Sequence, residues 1–399
     1  MSDIIINPGT SIQTTINNAL SGDRILFNSG AYNADSNLNI NKPLTLKPTI
    51  DGTYPNIRLN GTTYAYFLNF GASNITIDGL DIDNTRGGIS QGYIHNTTAI
   101  SNLTIKNSKI HEMRRMFFGD TGLVSGLTFL NNQIYRGLYT FLEIDDAKDV
   151  IIKNNWIHTQ TNTTTGEAAI TWYLKNDVGT SEISYNYIYG IRFGVELASI
   201  VPNAASIGSI LVAHNTEDMY MLATHPASLI APYLMRYGTS FWSVNPNTLN
   251  AAGITWRDNL ITRTLVHGMY LGNTLFTSKL TVKNCMFFDN YWYYWPDTGR
   301  YTYEHLGHIN ARLKHDVPNF NSTPLRMSKV LPRGRHNKAI AGWGAGATQP
   351  SLVELVDCMV DDPFFTLTGA TPPEFYALKP NSPAIGTASD HTNIGAWQG

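Results

Sequence analysis

The sequence predicts an all-β fold, a single solenoid of short parallel strands, and three observations lead there. An alternating apolar pattern recurs at steps close to 24 residues along much of the chain. Asn accounts for 38 of the 399 residues while charged residues make up only 15%, so the surface is built from Asn, Thr and Ser, which compete with helical hydrogen bonds. That composition excludes a mostly helical chain. A length of 399 residues would ordinarily suggest two or three globular domains, and one long repeat accounts for it equally well.

The chain opens with Asn7-Pro8-Gly9-Thr10-Ser11, capping-type residues ahead of an apolar i, i+4, i+8 stripe at Ile12, Ile16 and Leu20. A short amphipathic helix is expected there, covering the open end of the solenoid. Next come Gly22-Asp23-Arg24-Ile25-Leu26-Phe27, Gly30-Ala31-Tyr32 and Ile40-Asn41-Lys42-Pro43-Leu44-Thr45-Leu46.

The repeat itself reads apolar, any, apolar, any, Asn-like, any, any, apolar. It is clearest in Ile75-Thr76-Ile77-Asp78-Gly79 to Ile82, Leu103 to Ile110, Leu127 to Ile134 and Val150 to Ile157. Looser copies start at Ser181, Ile210, Ile254 and Leu280, giving steps of 28, 24, 23, 31, 29, 44 and 26. Steps of this size suit one solenoid turn, with strands stacked about 4.8 Å apart and insertions growing from the corners. Leucine-rich repeats would need a Leu-x-x-Leu-x-Leu frame and propeller blades about 40 residues, and neither fits. The fifth position follows a strand at a corner, where Asn tolerates left-handed backbone and can bond to the Asn of the next coil.

Along the chain we expect residues 1–70 to form the cap and first coils and 71–288 the central β-helix, with an insertion near 216–250. Residues 289–351 form an aromatic and basic excursion, and 352–399 the last coils and end segment. The excursion carries Tyr291-Trp292-Tyr293-Tyr294-Trp295 and then Arg312, Lys314, Arg326, Arg333 and Arg335, a composition suited to a carbohydrate platform, a lid over the solenoid face or, the favoured reading, a subunit interface.

Charge and cysteines limit the partners. With 28 basic and 30 acidic residues the net charge is −2, which offers no field for a nucleic acid backbone or an anionic membrane. No run of 18 apolar residues is present, and the N-terminus lacks the basic and apolar regions of a signal peptide. Cys285 and Cys358 lie outside any metal-like spacing and leave room for at most one disulfide.

The two ends and the repeat together resemble the pectate-lyase-like right-handed parallel β-helix superfamily. The early resemblance lies in the helix, the Gly22-Asp23 turn, Gly30-Ala31-Tyr32 and Ile40-Asn41-Lys42-Pro43-Leu44-Thr45-Leu46; the late one in Leu378-Lys379-Pro380-Asn381-Ser382-Pro383-Ala384-Ile385-Gly386 and Asn393-Ile394-Gly395-Ala396-Trp397. The resemblance implies the right-handed fold. Its members include polysaccharide lyases, glycoside hydrolases, phage tailspikes and proteins with no known catalysis, so it does not fix activity. No catalytic motif of a member family is matched, although Asp145-Asp146 resembles the paired aspartates of polygalacturonases.

Candidate chemistry is found by register. Counting seven residues back from the repeat starts at 103, 127 and 150 gives Asn96, Asp120 and Glu143, and aligning later segments adds Thr171 and Glu196. Asp120, Glu143 and Glu196 are the expected catalytic carboxylates, at spacings of one or two coils that suit retaining or inverting glycoside hydrolysis. Trp172, Tyr173, Asp145 and Thr171 are the expected substrate-binding residues, because sugar rings stack on aromatic faces and bond at their edges. No metal is required, though Asp145, Asp146 and Glu167 could join a calcium site. His111, His158 and His214 sit at corners and are expected to be structural.

The expected function is therefore a polysaccharide-binding and polysaccharide-cleaving β-helix protein, tailspike- or depolymerase-like, with glycoside hydrolysis favoured over elimination. The alternative is a non-catalytic virion structural or receptor-binding protein. Analogy with tailspikes implies a homotrimer, carried on a virion or outside the cell without a secretory signal peptide.

Overall fold

The structure is a computed structural model and describes residues 1–34, 36–59, 67–85, 93–119, 122–161, 168–174, 177–191, 193–199, 207–218, 237–243, 248–249, 252–262, 267–270, 275–276, 279–288, 334–342, 351–369 and 371–398. These fall into two compact units, Met1–Tyr173 with Asp177–Glu182, and Leu174–Asn176 with Ile183–Gly399. Each is a parallel β-helix of short strands in register with the coils before and after.

In the first unit the register reproduces the sequence repeat. Ile77 pairs with Ile105 and Ile105 with Phe129, then Phe129 with Ile152, while Ile82, Ile110, Ile134 and Ile157 form a second column. All eight are essentially inaccessible. Burying each such side chain stabilises the fold by roughly 1.5–3 kcal/mol, which is why the third and eighth positions of these coils are apolar. The fifth position turns the corner: Gly79, Asn107, Asn131 and Asn154 have φ of 72°, 51°, 56° and 56°. Asn131 Nδ2 donates to Asn107 Oδ1 at 3.2 Å, and Asn107 Nδ2 to Asp78 Oδ1 at 2.8 Å.

A second ladder lies one residue further on and inside the wall. Asn155 Oδ1 accepts from the backbone N–H of Asn132, Asn132 Oδ1 accepts from that of Ser108, and Ser108 Oγ from that of Leu80. Asn132 and Asn155 are buried, and their Nδ2 groups donate to the carbonyls of Ile105 and Phe129 at 2.9 and 3.0 Å. Buried amides of this kind are tolerated only when fully bonded.

The N-terminal helix spans Ile12–Asn18, and the Ser11 hydroxyl accepts from the Thr14 N–H at its start. Ile12 and Ile16 are buried as expected, but Leu20 is 71% exposed. The helix ends at Asn18, with Ala19 as its cap, so the predicted stripe loses its last member. Lys42 Nζ donates to the carbonyls of Asn17 and Ala19 and closes that end. The Gly22-Asp23 turn has its own reason: Gly22 sits at φ 88°, and the Asp23 carboxylate accepts from the N–H groups of Ser2 and Leu20. Tyr32, fully buried, reaches the carbonyls of Ile6 and Asn28 with its hydroxyl at 2.9 and 2.8 Å.

In the second unit Tyr185, His214, Asp258, Asn284 and Asp357 take the left-handed corner position. Asn186, Asn215 and Asn259 form an internal ladder of their own. Of the insertion expected at 216–250, Thr216–Asp218 and Tyr237–Ser243 are strands of the coils, paired with Tyr187–Tyr189 and Phe193–Ser199. Near the expected excursion, Gly334–Gly342 runs antiparallel to Ser351–Val360, which is itself in parallel register with Leu280–Lys283. The aromatic run at 291–295 lies outside the described residues.

The end segment then packs back over the coils. Phe365, Tyr376, Leu378, Ala384, Ala388, Ile394 and Ala396 bury themselves with Tyr187, Leu260, Met286 and Met359. The Tyr376 hydroxyl donates to Asp218 at 2.8 Å, and the Gly395 N–H to the Asp258 carbonyl at 2.9 Å.

Candidate functional site

Glu143 lies in the strand Leu142–Ile144, between two fully buried apolar residues. Strand alternation places those two on one face and Glu143 on the other. Its backbone partners are Phe118 in the coil before and Thr171 in the coil after. Phe118 is opposite His95, His95 opposite Asn69, and Asn69 opposite Asn39. The column of the first unit is therefore Asn39, Asn69, His95, Phe118, Glu143, Thr171.

This corrects the register expected for Asp120. Phe118, two residues earlier, occupies the place assigned to it, and Asp120 itself lies outside the described residues. The reason is turn length. Val124 pairs with Ala147, yet four residues separate Gly119 from Val124 and only two separate Ile144 from Ala147. Counting back from the repeat start carries that two-residue difference straight into the column. Asn96 is likewise one residue past its column member, His95, and is buried.

A bulge brings in a residue that counting overlooked. The N–H groups of Met116 and Phe117 both donate to the Phe141 carbonyl at 2.9 Å, so one extra residue enters the strand Arg115–Gly119. Bulges of this type re-aim a neighbouring side chain. Arg115 Nε lies 2.9 Å from Glu143 Oε2, with the two side chains 22% and 10% exposed. The approach is a charge pair rather than an aligned hydrogen bond. Thr171, buried, is in register with Glu143 in the coil after, and His95, also buried, stands two coils before Glu143, beyond Phe118. A strand-start Arg three residues before a column position carries no distinguishing signal in the sequence.

The other expected site residues divide. Asp145 follows Glu143 by two and is half-buried, its N–H donating to the Gly119 carbonyl at 3.1 Å. Tyr173 is half-buried and Thr171 buried. Trp172 is corrected: it is 0% exposed and packed in the core, because its partner in register is the inward-facing Ile144, so it offers no face to a sugar. Glu196 belongs to the second unit, half-buried in Phe193–Ser199 and paired with Ser240. Among the described residues no three His, Cys, Asp or Glu side chains converge so as to hold a metal. Glu167, one of the residues expected to join a calcium site, lies outside the described residues.

The corner histidines are engaged by their neighbours. His111 Nε2 meets Asp81 Oδ1 at 2.9 Å, and its ring stacks on Tyr135 at 4.6 Å. His158 stacks between Tyr135 and Trp156 at 5.3 and 4.6 Å, and burial lowers its pKa to about 3. Tyr135 is pushed up to about 12 by burial, with Asp81, Asp83 and Glu112 adding to the effect. His214 lies 3.1 Å from Asp390 and stacks on Tyr185 at 4.7 Å. Rings stacked face to face along a column leave only their edges for a ligand.

No protein-family model and no curated protein matches the chain. Among solved structures it is similar to a PL6 family alginate lyase, AlyGC, at 15% identity and a TM-score of 0.39, over 72% of this chain and 36% of that one. It is also similar to an alginate lyase from Paenibacillus sp. str. FPU-7, at 13% identity and a TM-score of 0.40, over 69% of this chain and 98% of that one. A mannuronic acid specific family 6 polysaccharide lyase from human gut microbiota shares 10% identity at a TM-score of 0.27, over 72% and 80%. The chain thus spans about a third of the first of these, and likeness at this level carries no argument about substrate or mechanism.

Proposed function

We propose that this chain binds a polysaccharide along the face of the first unit that carries Glu143 and cleaves it there. The observation that carries the reading is the Arg115–Glu143 pair at 2.9 Å, set by a bulge and bordered in register by Thr171. A carboxylate held by a cation beside a hydroxyl is a set able to bond sugar hydroxyls and move a proton.

Hydrolysis remains the favoured chemistry, with a changed pair. Asp145 replaces Asp120 as the second carboxylate, because it follows Glu143 by two residues, at the bend just after the strand Leu142–Ile144. Inverting hydrolysis needs the two carboxyl groups about 6.5–9.5 Å apart, with a water between them. Glu143, held by the Arg115 guanidinium, is the base that takes a proton from the water, and Asp145 protonates the leaving oxygen. Tyr173 and Thr171 border the pair. The reading extends to a tailspike-like homotrimer on a virion or outside the cell.

The test is incubation of the full chain, Glu143→Gln and Asp145→Asn with a panel of bacterial and algal polysaccharides. New reducing ends without ultraviolet absorbance, lost in both variants, would support hydrolysis. Absorbance from unsaturated uronates would mean elimination instead. Binding without cleavage would favour the second reading, a non-catalytic receptor-binding or structural protein, for which the largely buried Arg115–Glu143 pair is a structural tie.

A further inference from the structure

The internal ladder of the second unit changes chemistry at its end. Its sixth-position column runs through Asn186, Asn215 and Asn259, and in the two later coils the same position holds Cys285 and Cys358. Met286 pairs in parallel with Met359, and the Met359 N–H donates to the Cys285 carbonyl at 2.7 Å, which sets Cys285, just before the strand Met286–Phe288, beside Cys358 in the adjacent strand Ser351–Val360. Adjacent parallel strands stand about 4.8 Å apart, inside the Cα separation of about 4.4–6.8 Å that a disulfide spans. Both residues are buried and both thiols are free. The Cys358 thiol donates to the Val282 carbonyl at 3.3 Å.

We propose that Cys285 and Cys358 are a modification site, an oxidisable dithiol that forms a disulfide between the last two coils and closes the segment between them into a covalent loop. A low-molecular-weight disulfide of the glutathione type is the oxidant. One cysteine thiolate attacks it, forming a mixed disulfide and releasing one glutathione. The second cysteine thiolate then displaces the other glutathione. Two cysteine thiols lose two protons and two electrons, and one oxidised glutathione becomes two reduced molecules.

Burial gives the reaction a recognisable order. In the folded chain desolvation raises the Cys285 thiol well above its ordinary range, with Cys358 adding to the effect, so little thiolate is present to attack. Exchange therefore proceeds quickly while the last coils are open and slowly once they have closed. The bond removes loop entropy from the unfolded chain, and the gain grows with the length enclosed. The enclosed stretch, 286–357, is long and includes the whole excursion.

The test is refolding of the full chain from denaturant with and without a glutathione redox pair, followed by alkylation and intact mass. The expected result is loss of both alkylatable thiols and of two hydrogens, a cross-linked peptide containing Cys285 and Cys358, and a Tm raised by several degrees. Cys285→Ser and Cys358→Ser should each keep one alkylatable thiol and show no such Tm rise, and the double variant should refold and be insensitive to the redox pair. Two alkylatable thiols after oxidative refolding to the native circular dichroism, or glutathione adducts without a cross-link, would overturn the proposal. None of these readouts depends on cleavage of a polysaccharide.

Discussion

The side-chain oxygen of Asn155 accepts two hydrogen bonds from Asn132, one from its backbone N–H and one from its Nδ2, both at 3.0 Å and both inaccessible to water. A single atom thus satisfies two buried donors in the neighbouring coil. Asn155→Ala leaves those donors and the Phe129 carbonyl to find other partners. Unmade buried bonds of this kind cost about 1–3 kcal/mol each, so a loss of about 2–4 kcal/mol in denaturant unfolding is expected. The solvent-facing Asn131→Ala should cost less than half as much.

Arg115→Ala should destabilise by about 2–4 kcal/mol, because it strips the cation from a carboxylate that is itself largely buried. Arg115→Lys should restore part of the loss. If the pair serves catalysis as well, Arg115→Lys will lower kcat more than it lowers Tm, and equal stability with unchanged kcat would remove Arg115 from the site.

Trp172 fills the core, so Trp172→Ala should cost about 3–5 kcal/mol. The conservative Trp172→Phe should keep polysaccharide affinity within twofold. A tenfold loss of affinity without a change in Tm would return Trp172 to the binding surface.

Gly194 has no room for a side chain: a Cβ there would fall 2.0 Å from Glu217 Oε2 and 2.7 Å from its carboxyl carbon. Glu217 is itself fully buried. Gly194→Ala should destabilise by about 1–3 kcal/mol. In a double-mutant cycle Glu217→Ala should absorb most of that cost, and additive effects would show that the clash relaxes elsewhere.

Acid should weaken the first unit through His158. Burial holds its folded pKa at about 3, while an unfolded histidine titrates near 6.5. Between those values the unfolded chain binds the proton and the folded chain does not, so this contribution is complete above about pH 6.5 and is lost as pH falls toward 3. The slope can reach about 1.4 kcal/mol per pH unit. His158→Gln should flatten Tm between pH 7 and pH 4, and an unchanged slope would assign the acid sensitivity to other groups.

The eighth-position column shows where local pattern and global fold part. Ile82, Ile110, Ile134, Ile157 and Ile261 announce the core in the sequence because each must leave water, and Asn107, Asn131 and Asn154 announce corners because few other residues accept left-handed backbone. Glu217 occupies the same position as those isoleucines, and only its surroundings show that a carboxylate is accommodated there. Sequence by itself determined the solenoid, its coil starts and the apolar columns, since each follows from burial and backbone geometry within one coil.

Tertiary structure alone decided which side chains meet between coils. The residues between Gly119 and Val124 outnumber those between Ile144 and Ala147, and a bulge at Met116 and Phe117 adds one more. Such differences leave the hydrophobic pattern of every strand intact, yet they replace Asp120 by Phe118 opposite Glu143 and bring Arg115 to its carboxylate. Turn length is nearly silent in the local pattern because loops face water, whereas the register it sets fixes every contact across the sheet.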